Sequence, residues 1–452
     1  MTALWTSAEI AAATGGTASA GFQAAGVAFD SREVGAGDLF VALTGETTDG
    51  HRFLPQAFAQ GAAGAIVSEP CDGPHVLVAD TFAALNDLAR AARARTEAIV
   101  IGVTGSVGKT SAKEALFAAL DRGAPDRVHR SVKSYNNHTG VPLSLARMPR
   151  DSRFAVLEMG MNHAGELAAL TRLVRPDVAL ITTVAAVHIE FFADEAAIAD
   201  AKAEIFEGLQ PGGTAAIPFD NRHRDRLIAT AGQHGPRVVT FGSVEGADVR
   251  AIEVMRSATG GSFVTAQLPD CELSFTLAQP GAHHVANALG VLACIDAVGA
   301  DLGLAGLALA EMGGLPGRGA RFRTADGALV LDESYNANPT SMRATLAVLA
   351  DEPGRHVAIL GAMGELGDDA PAYHAGLAQP VLDARVETIL LVGEAMAPLA
   401  AALEQKVNVV HVPDAAGAVA ALGDVVRPGD AVLVKGSNSV GLSRVVAALG
   451  GG

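Results

Sequence analysis

The sequence predicts an α/β protein built as three domains, and three observations carry that reading. Apolar runs rich in valine and isoleucine alternate with alanine-rich helical stretches along most of the chain. One such run, Ile99 to Thr104, breaks into a loop spaced by Gly105 and Gly108 before a helix begins, the arrangement of a phosphate-binding turn. The glycine-rich stretch Gly313-Gly314-Leu315-Pro316-Gly317 then separates two successive series of strands and helices. A length of 452 residues suits about three domains, each large enough to bury its own core.

Residues 1–95 read as a small mixed α/β domain. Val27 to Ser31, Leu39 to Leu43 and Ala65 to Ser68 have the apolar character of strands, and Phe53 to Gln60 that of a helix. Polar groups gather on two loops, Phe29-Asp30-Ser31-Arg32 and Gly45 to Phe53, where turn chemistry and capping alone would account for them.

Residues 96–314 read as the central unit, with strands near Ile99, Ala155, Val178, Ala215 and Val238. A β-rich insertion from Asp248 to Leu277 and a helix from His283 to Val298 complete it. After the strand at Ile99 come Gly105, Ser106, Val107, Gly108, Lys109, Thr110 and Ser111. Glycines let the backbone approach a polyphosphate, successive N–H groups and the helix N-terminus bind its charge, Lys109 supplies a cation, and the Thr110 hydroxyl suits Mg²⁺. This makes the central unit a P-loop ATPase-type α/β domain. Val103 stands where the first glycine of the usual spacing belongs, with Gly102 and Gly105 on either side.

Other polar residues of this unit admit two readings each. Glu158 ends the apolar strand Ser152 to Met159, where a Mg²⁺ ligand would be wanted beside a phosphate loop, or where a helix cap would serve. His188 follows the strand Val178 to Thr183 and is a ligand or an ordinary loop histidine. Lys202 lies in the helical stretch Asp194 to Leu209 among Ala201, Ala203, Ile205 and Phe206, although most helix lysines are solvated. His283, His284 and Asn287 open a helix that they could simply cap.

Residues 315–452 read as a second doubly wound, Rossmann-like α/β domain, with strands beginning at Leu329, Val357, Ile389, Val407 and Ala431. Arg318 follows the glycine-rich linker and could clamp a phosphate or bridge two loops. Asp332-Glu333-Ser334-Tyr335-Asn336-Ala337-Asn338-Pro339 packs more donors and acceptors between a strand and a helix than a cap requires. Lys435 and Ser437 follow the last strand, at the end of an open sheet where ligands bind.

Composition narrows the partners. With 33 basic and 49 acidic residues the net charge is −16, which argues against nucleic acid and membrane surfaces and leaves small anions that meet local cations. Cys71, Cys271 and Cys294 have neither metal-ligand spacing nor the number for a disulfide framework, and no signal pattern or membrane-length apolar run occurs. A cytoplasmic protein is expected.

Together these stretches resemble the Mur ligase family, the ATP-dependent amide-forming enzymes of peptidoglycan precursor synthesis. The resemblance spans essentially the whole chain: TGSVGKT at the phosphate loop, NNHTGVP at Asn136 to Pro142, EMGMNHAGE from Glu158, His188 before Glu190, AKAEIF from Ala201, GAHHVAN from Gly281, PGR at Arg318 and DESYNANP from Asp332. EMGMNHAGE, NNHTGVP and SYNANP are most similar to the branch that adds D-alanyl-D-alanine to UDP-N-acetylmuramoyl tripeptide. The DNPR stretch of the diaminopimelate-adding branch is absent from the sequence.

The resemblance implies roles. Gly105 through Ser111 would hold the ATP phosphates, with Lys109 and Thr110 central, and Thr110, Glu158, His188 and Lys202 would serve the metal. Lys202 matches the lysine that such enzymes carry as a carbamate. Asn287 would contact adenine, Arg318 would approach the γ-phosphate, and Glu333, where an aspartate is common, would complete the nucleotide site with Asn336. Ser31 and Arg32 of the DSR stretch and Asn137 would meet the UDP-linked substrate, and Asn338, Lys435 and Ser437 the dipeptide. The implied cofactors are ATP and Mg²⁺, the partners are the UDP-linked tripeptide and D-alanyl-D-alanine, and a monomer is expected. Two alternatives stay open: a folylpolyglutamate synthase-like ligase, which would not need the N-terminal domain, and a non-catalytic nucleotide-binding module.

Overall fold

The computed structural model describes residues 3–45, 48–187, 189–257 and 260–450. Its centre is a nine-stranded sheet in the order Glu272–Leu277, Ser262–Gln267, Val249–Arg256, Arg237–Gly242, Thr214–Pro218, Val178–Ile181, Ile99–Thr104, Phe154–Glu158 and Val128–Arg130. The pairings from Val249–Arg256 to Val128–Arg130 are parallel, and the two outer ones are antiparallel.

The central strands are continuous apolar runs because both faces are covered. One face packs on the helices Lys109–Gly123, Ala282–Ala297 and Leu302–Glu311, through Leu116, Leu120, Leu289, Leu292 and Leu309. The other packs on Gly140–Ala146, Glu166–Val174, Glu195–Ala203 and Arg224–Gly232, through Leu145, Leu167, Ile198 and Leu227.

A six-stranded sheet follows, in the order Ala320–Arg323, Leu329–Glu333, Ala431–Lys435, His356–Gly361, Val386–Val392 and Asn408–Val412, parallel except for its first strand. The N-terminal sheet orders Thr17–Ala18, His75–Leu77, Gly64–Val67, Asp38–Val41 and Gly26–Ala28, parallel except at Thr17–Ala18. Trp5 anchors this part to the central one, its indole N–H donating to the Ala146 carbonyl at 2.8 Å while the Arg95 guanidinium stacks on its ring at 3.4 Å.

The structure refines three sequence expectations. The β-rich stretch after Asp248 is an extension of the central sheet rather than a separate insertion, since Val249 and Arg250 pair with Phe241 and Gly242. The helical stretch around Lys202 tightens from an α-helix, Glu195–Ala203, into a 3-10 turn, Glu204–Gly208. The short strands Val128–Arg130 and Ala320–Arg323 have no apolar run to announce them and exist by pairing with a neighbour. Among the described residues no helix is long and apolar enough to cross a membrane.

Candidate functional site

The strand Ile99–Thr104 lies between Val178–Ile181 and Phe154–Glu158, so the loop that leaves it emerges at the carboxyl edge of the sheet. Two glycines make that loop possible. Gly105 has φ +148° and a Cβ there would lie 1.9 Å from Thr182 Oγ1; Gly108 has φ +89° and a Cβ would lie 2.5 Å from Asn287 Oδ1. Gly108 caps the helix Lys109–Gly123 without a side-chain hydrogen bond, so the N–H groups of the first turn stay available to an anion. Lys109 Nζ donates to the Gly105 carbonyl at 2.6 Å, folding the cation over the loop. Burial pushes the Lys109 amine below the usual lysine range, and Arg318 adds to this while Glu158 and Glu365 oppose it.

Glu158 does not cap a helix. It is 1 % exposed, in register with Val103, and accepts from Thr110 Oγ1 at 2.9 Å and from Asn136 Nδ2 at 2.8 Å. Lys113 Nζ, itself fully buried, stands 3.8 Å from the same carboxylate and donates to the Ser131 carbonyl. A hydroxyl and a carboxylate meeting beside a phosphate loop are hard oxygen donors, and they fit Mg²⁺. His188 lies outside the described residues.

Lys202 is 2 % exposed, and among the described residues its amine has no carboxylate partner. Burial and then the nearby charge of Lys109 hold it well below the usual lysine range, which favours the uncharged amine. Asn287 packs under Gly108, and with Ser111, Gln279, His284 and Leu309 it lines a cavity of about 30 Å³.

The second sheet faces this edge. Arg318 Nη2 donates to Ser134 Oγ at 3.3 Å, and Ser134 Oγ lies 3.3 Å from Thr110 Oγ1, so one hydroxyl separates the guanidinium from the phosphate loop. The Arg318 guanidinium also stacks on Tyr335 at 4.0 Å. Glu333 and Lys435 are register partners at the ends of parallel strands, 3.7 Å apart, and Lys435 Nζ donates to the Asn336 carbonyl at 2.8 Å. Burial raises the Glu333 carboxyl and lowers the Lys435 amine; each opposes the other's shift.

Thus Gly105 to Ser111, Glu158, Lys202, Asn287, Arg318, Glu333, Asn336 and Lys435 gather at one edge-to-edge cleft. Asn338 and Ser437 have local partners instead. Asn338 caps the helix Pro339–Ala350 through Ser341, and Ser437 Oγ accepts from the Gly364 N–H at 2.8 Å. Asn137 accepts from Gly140 N–H at the start of the helix Gly140–Ala146. Ser31 is buried on Gln56, and Arg32 is exposed and paired with Asp30. The adjacent Glu33 ties this loop to the central part through Tyr135, whose hydroxyl donates to it at 2.9 Å. Ser134, Asn136 and Lys113 were not among the sequence candidates. The paired asparagines of NNHTGVP were the signal for one of them, but which of Asn136 and Asn137 faces Glu158 depends on the path of the loop.

Three family models match consecutive parts of the chain: "Mur ligase family, catalytic domain" over residues 23–102, "Mur ligase middle domain" over 103–295, and "Mur ligase, glutamate ligase domain" over 317–438. A relative from Escherichia coli K12, named UDP-N-acetylmuramoyl-tripeptide--D-alanyl-D-alanine ligase, is 36 % identical over 94 % of this chain and 93 % of its own. A crystal structure of MurF from Acinetobacter baumannii superposes with a TM-score of 0.87 at 31 % identity, covering 98 % of both chains. The MurF ligase from Thermotoga maritima in complex with ADP superposes with a TM-score of 0.79 at 26 % identity, covering 94 % of this chain and 96 % of that one.

Proposed function

The chain belongs to the Mur ligase family, and we propose that it is the ligase that joins D-alanyl-D-alanine to UDP-N-acetylmuramoyl tripeptide at the expense of ATP, in peptidoglycan precursor synthesis. The observation that carries the reading is the cleft itself, where Lys109 and Thr110 of one sheet edge meet Arg318, Glu333 and Lys435 of another. Relatives named for this activity over nearly the full length supply the amine and acceptor.

A carboxylate is a poor electrophile, so the tripeptide's terminal carboxylate oxygen first attacks the γ-phosphorus of ATP, releasing ADP and forming an acyl phosphate. The dipeptide amine then attacks the acyl carbon, an amide bond forms, a proton leaves the nitrogen, and inorganic phosphate departs. This chemistry asks for positioning and charge neutralisation more than for a protein nucleophile. Loop amides and Lys109 would hold the phosphates, Arg318 would reach the transferred one from the second sheet, and Asn287 would flank the adenine. Thr110, Glu158 and His188 would hold Mg²⁺, which when bound neutralises phosphate oxygens. Lys202, a buried amine that burial and the Lys109 charge push toward its uncharged form, is suited to take up CO₂ and become a carbamate, an anion beside Lys109.

The same reading places the UDP-linked substrate against Ser31, Arg32 and Asn137, and the dipeptide near Asn338, Lys435 and Ser437. It sets the divisions between the three units near residues 95 and 314, and puts a monomer in the cytoplasm. Phosphate release should require ATP, the UDP-linked tripeptide and D-alanyl-D-alanine together. Equal turnover with diaminopimelate or glutamate as the amine would refute the assignment.

A further inference from the structure

Two histidines beside the nucleotide cleft have no part in the reaction described above. His283 and His284 occupy the first turn of the helix Ala282–Ala297, their rings 4.0 Å apart between centroids and inclined by 42°. Glu333, at the end of a strand of the other sheet, faces them. One ligand atom from each of the three residues lies within 4.8 Å of the others. They line a cavity of about 20 Å³ together with Gln279 and Arg321, room for about one ion or water.

We propose that His283, His284 and Glu333 form a binding site for a divalent transition-metal ion of the zinc or cobalt class, separate from the Mg²⁺ position at Thr110 and Glu158. Two imidazoles and one carboxylate are a donor set that Zn²⁺ takes with a water in the fourth position, whereas Mg²⁺ prefers oxygen ligands. Metal–nitrogen bonds of about 2.0–2.1 Å put tetrahedral ligand atoms roughly 3.4 Å apart, so the three ligand atoms, within 4.8 Å of one another, would have to draw together around the ion. Burial keeps both imidazoles unprotonated at neutral pH, with His283 lowered to about 4, so no proton has to be displaced. Opposing the ion are Lys435, 3.7 Å from one Glu333 oxygen, Arg318, whose charge also acts on Glu333, Arg321, paired with Glu352 at 2.9 Å through Nη2 while its buried Nη1 has no partner among the described residues, and the positive end of the helix. Those charges weaken the site relative to a structural zinc site.

The consequence is a tie between the two sheets. An ion held by one helix and one strand end would fix their separation and withdraw Glu333 from the cleft, so Zn²⁺ inhibits the ligase and added Mg²⁺ does not relieve it.

Titrating the full-length chain with Co²⁺ in the absence of nucleotide should give the visible absorption of a four- or five-coordinate ion at one equivalent, displaced by Zn²⁺ and unaffected by a thousandfold excess of Mg²⁺. His283→Gln and His284→Gln should each weaken that binding at least tenfold with unchanged far-UV circular dichroism. In the unmodified protein, Zn²⁺ should protect both histidines from diethylpyrocarbonate, mapped by peptide mass, which reads the site without any variant. Absence of the absorption band, a band that both folded variants retain, or unprotected histidines under saturating Zn²⁺ would each overturn the proposal.

Discussion

At Lys202 local pattern gave only a lysine among alanines, the AKAEIF resemblance implied a carbamate, and burial is what the structure adds. A lysine 2 % exposed and facing the charge of Lys109 is held well below the usual lysine range, which favours the uncharged amine, the form that adds CO₂. Lys202→Ala should therefore fold yet lose at least roughly two orders of magnitude in kcat, the scale of removing one preorganised electrostatic group. Short carboxylic acids should restore part of the turnover by filling the vacated anion site. Activity near that of the unmodified enzyme in CO₂-depleted buffer would show an ordinary core lysine. Glu158 differs in kind, because its position at the end of an apolar strand was readable, while its partners were not. Asn136 and Lys113 come from a loop and a helix whose approach to it no local pattern encodes.

Among the elements, the long apolar strands and amphipathic helices were legible because burial on both faces leaves a continuous hydrophobic run. The short strand Val128–Arg130 was not, since three residues carry no period. It sits at the sheet edge and is pinned there by His129, whose ring N–H donates to the Ser144 carbonyl at 2.7 Å. That bond fixes the neutral tautomer, and burial lowers the His129 pKa to about 4 from an ordinary 6.5. Between those two values the unfolded chain binds a proton that the folded one does not. The contribution is therefore fully present above pH 6.5 and is lost as pH falls toward 4. A gap of that size is worth at most roughly 3 kcal/mol, and less for a ring that is only half-buried. His129→Gln keeps an N–H donor for Ser144 without the titration, so the fall in stability from pH 7 to 4.5, read by urea denaturation, should be shallower than in the parent protein. Parallel curves for the two would place the acid sensitivity elsewhere, His283, His284 and His374 also being held below the usual histidine range by burial.

For the whole molecule, cohesion between the central and C-terminal sheets rests on a few polar contacts as well as on the shared cleft. Glu352, its side chain 2 % exposed, meets Arg321 at 2.9 Å and Arg256 at 3.3 Å, the latter from the hairpin that extends the central sheet. Removing one partner of a buried pair typically costs roughly 3–5 kcal/mol, and the partial exposure of both arginines lowers the expectation for Glu352→Gln to about 2 kcal/mol. A guanidinium midpoint unchanged by that substitution would mean the contact is idle. By itself the sequence determined the α/β class, the phosphate loop and the chemical character of its neighbours, because strand burial, glycine conformation and charge are local properties of short stretches. Only the tertiary structure decided which residues meet. Strand order put Glu158 in register with Val103, sheet register set Glu333 beside Lys435, and the folding of the chain after Gly317 carried Arg318 to Ser134, contacts between residues far apart in the chain that no local pattern can specify.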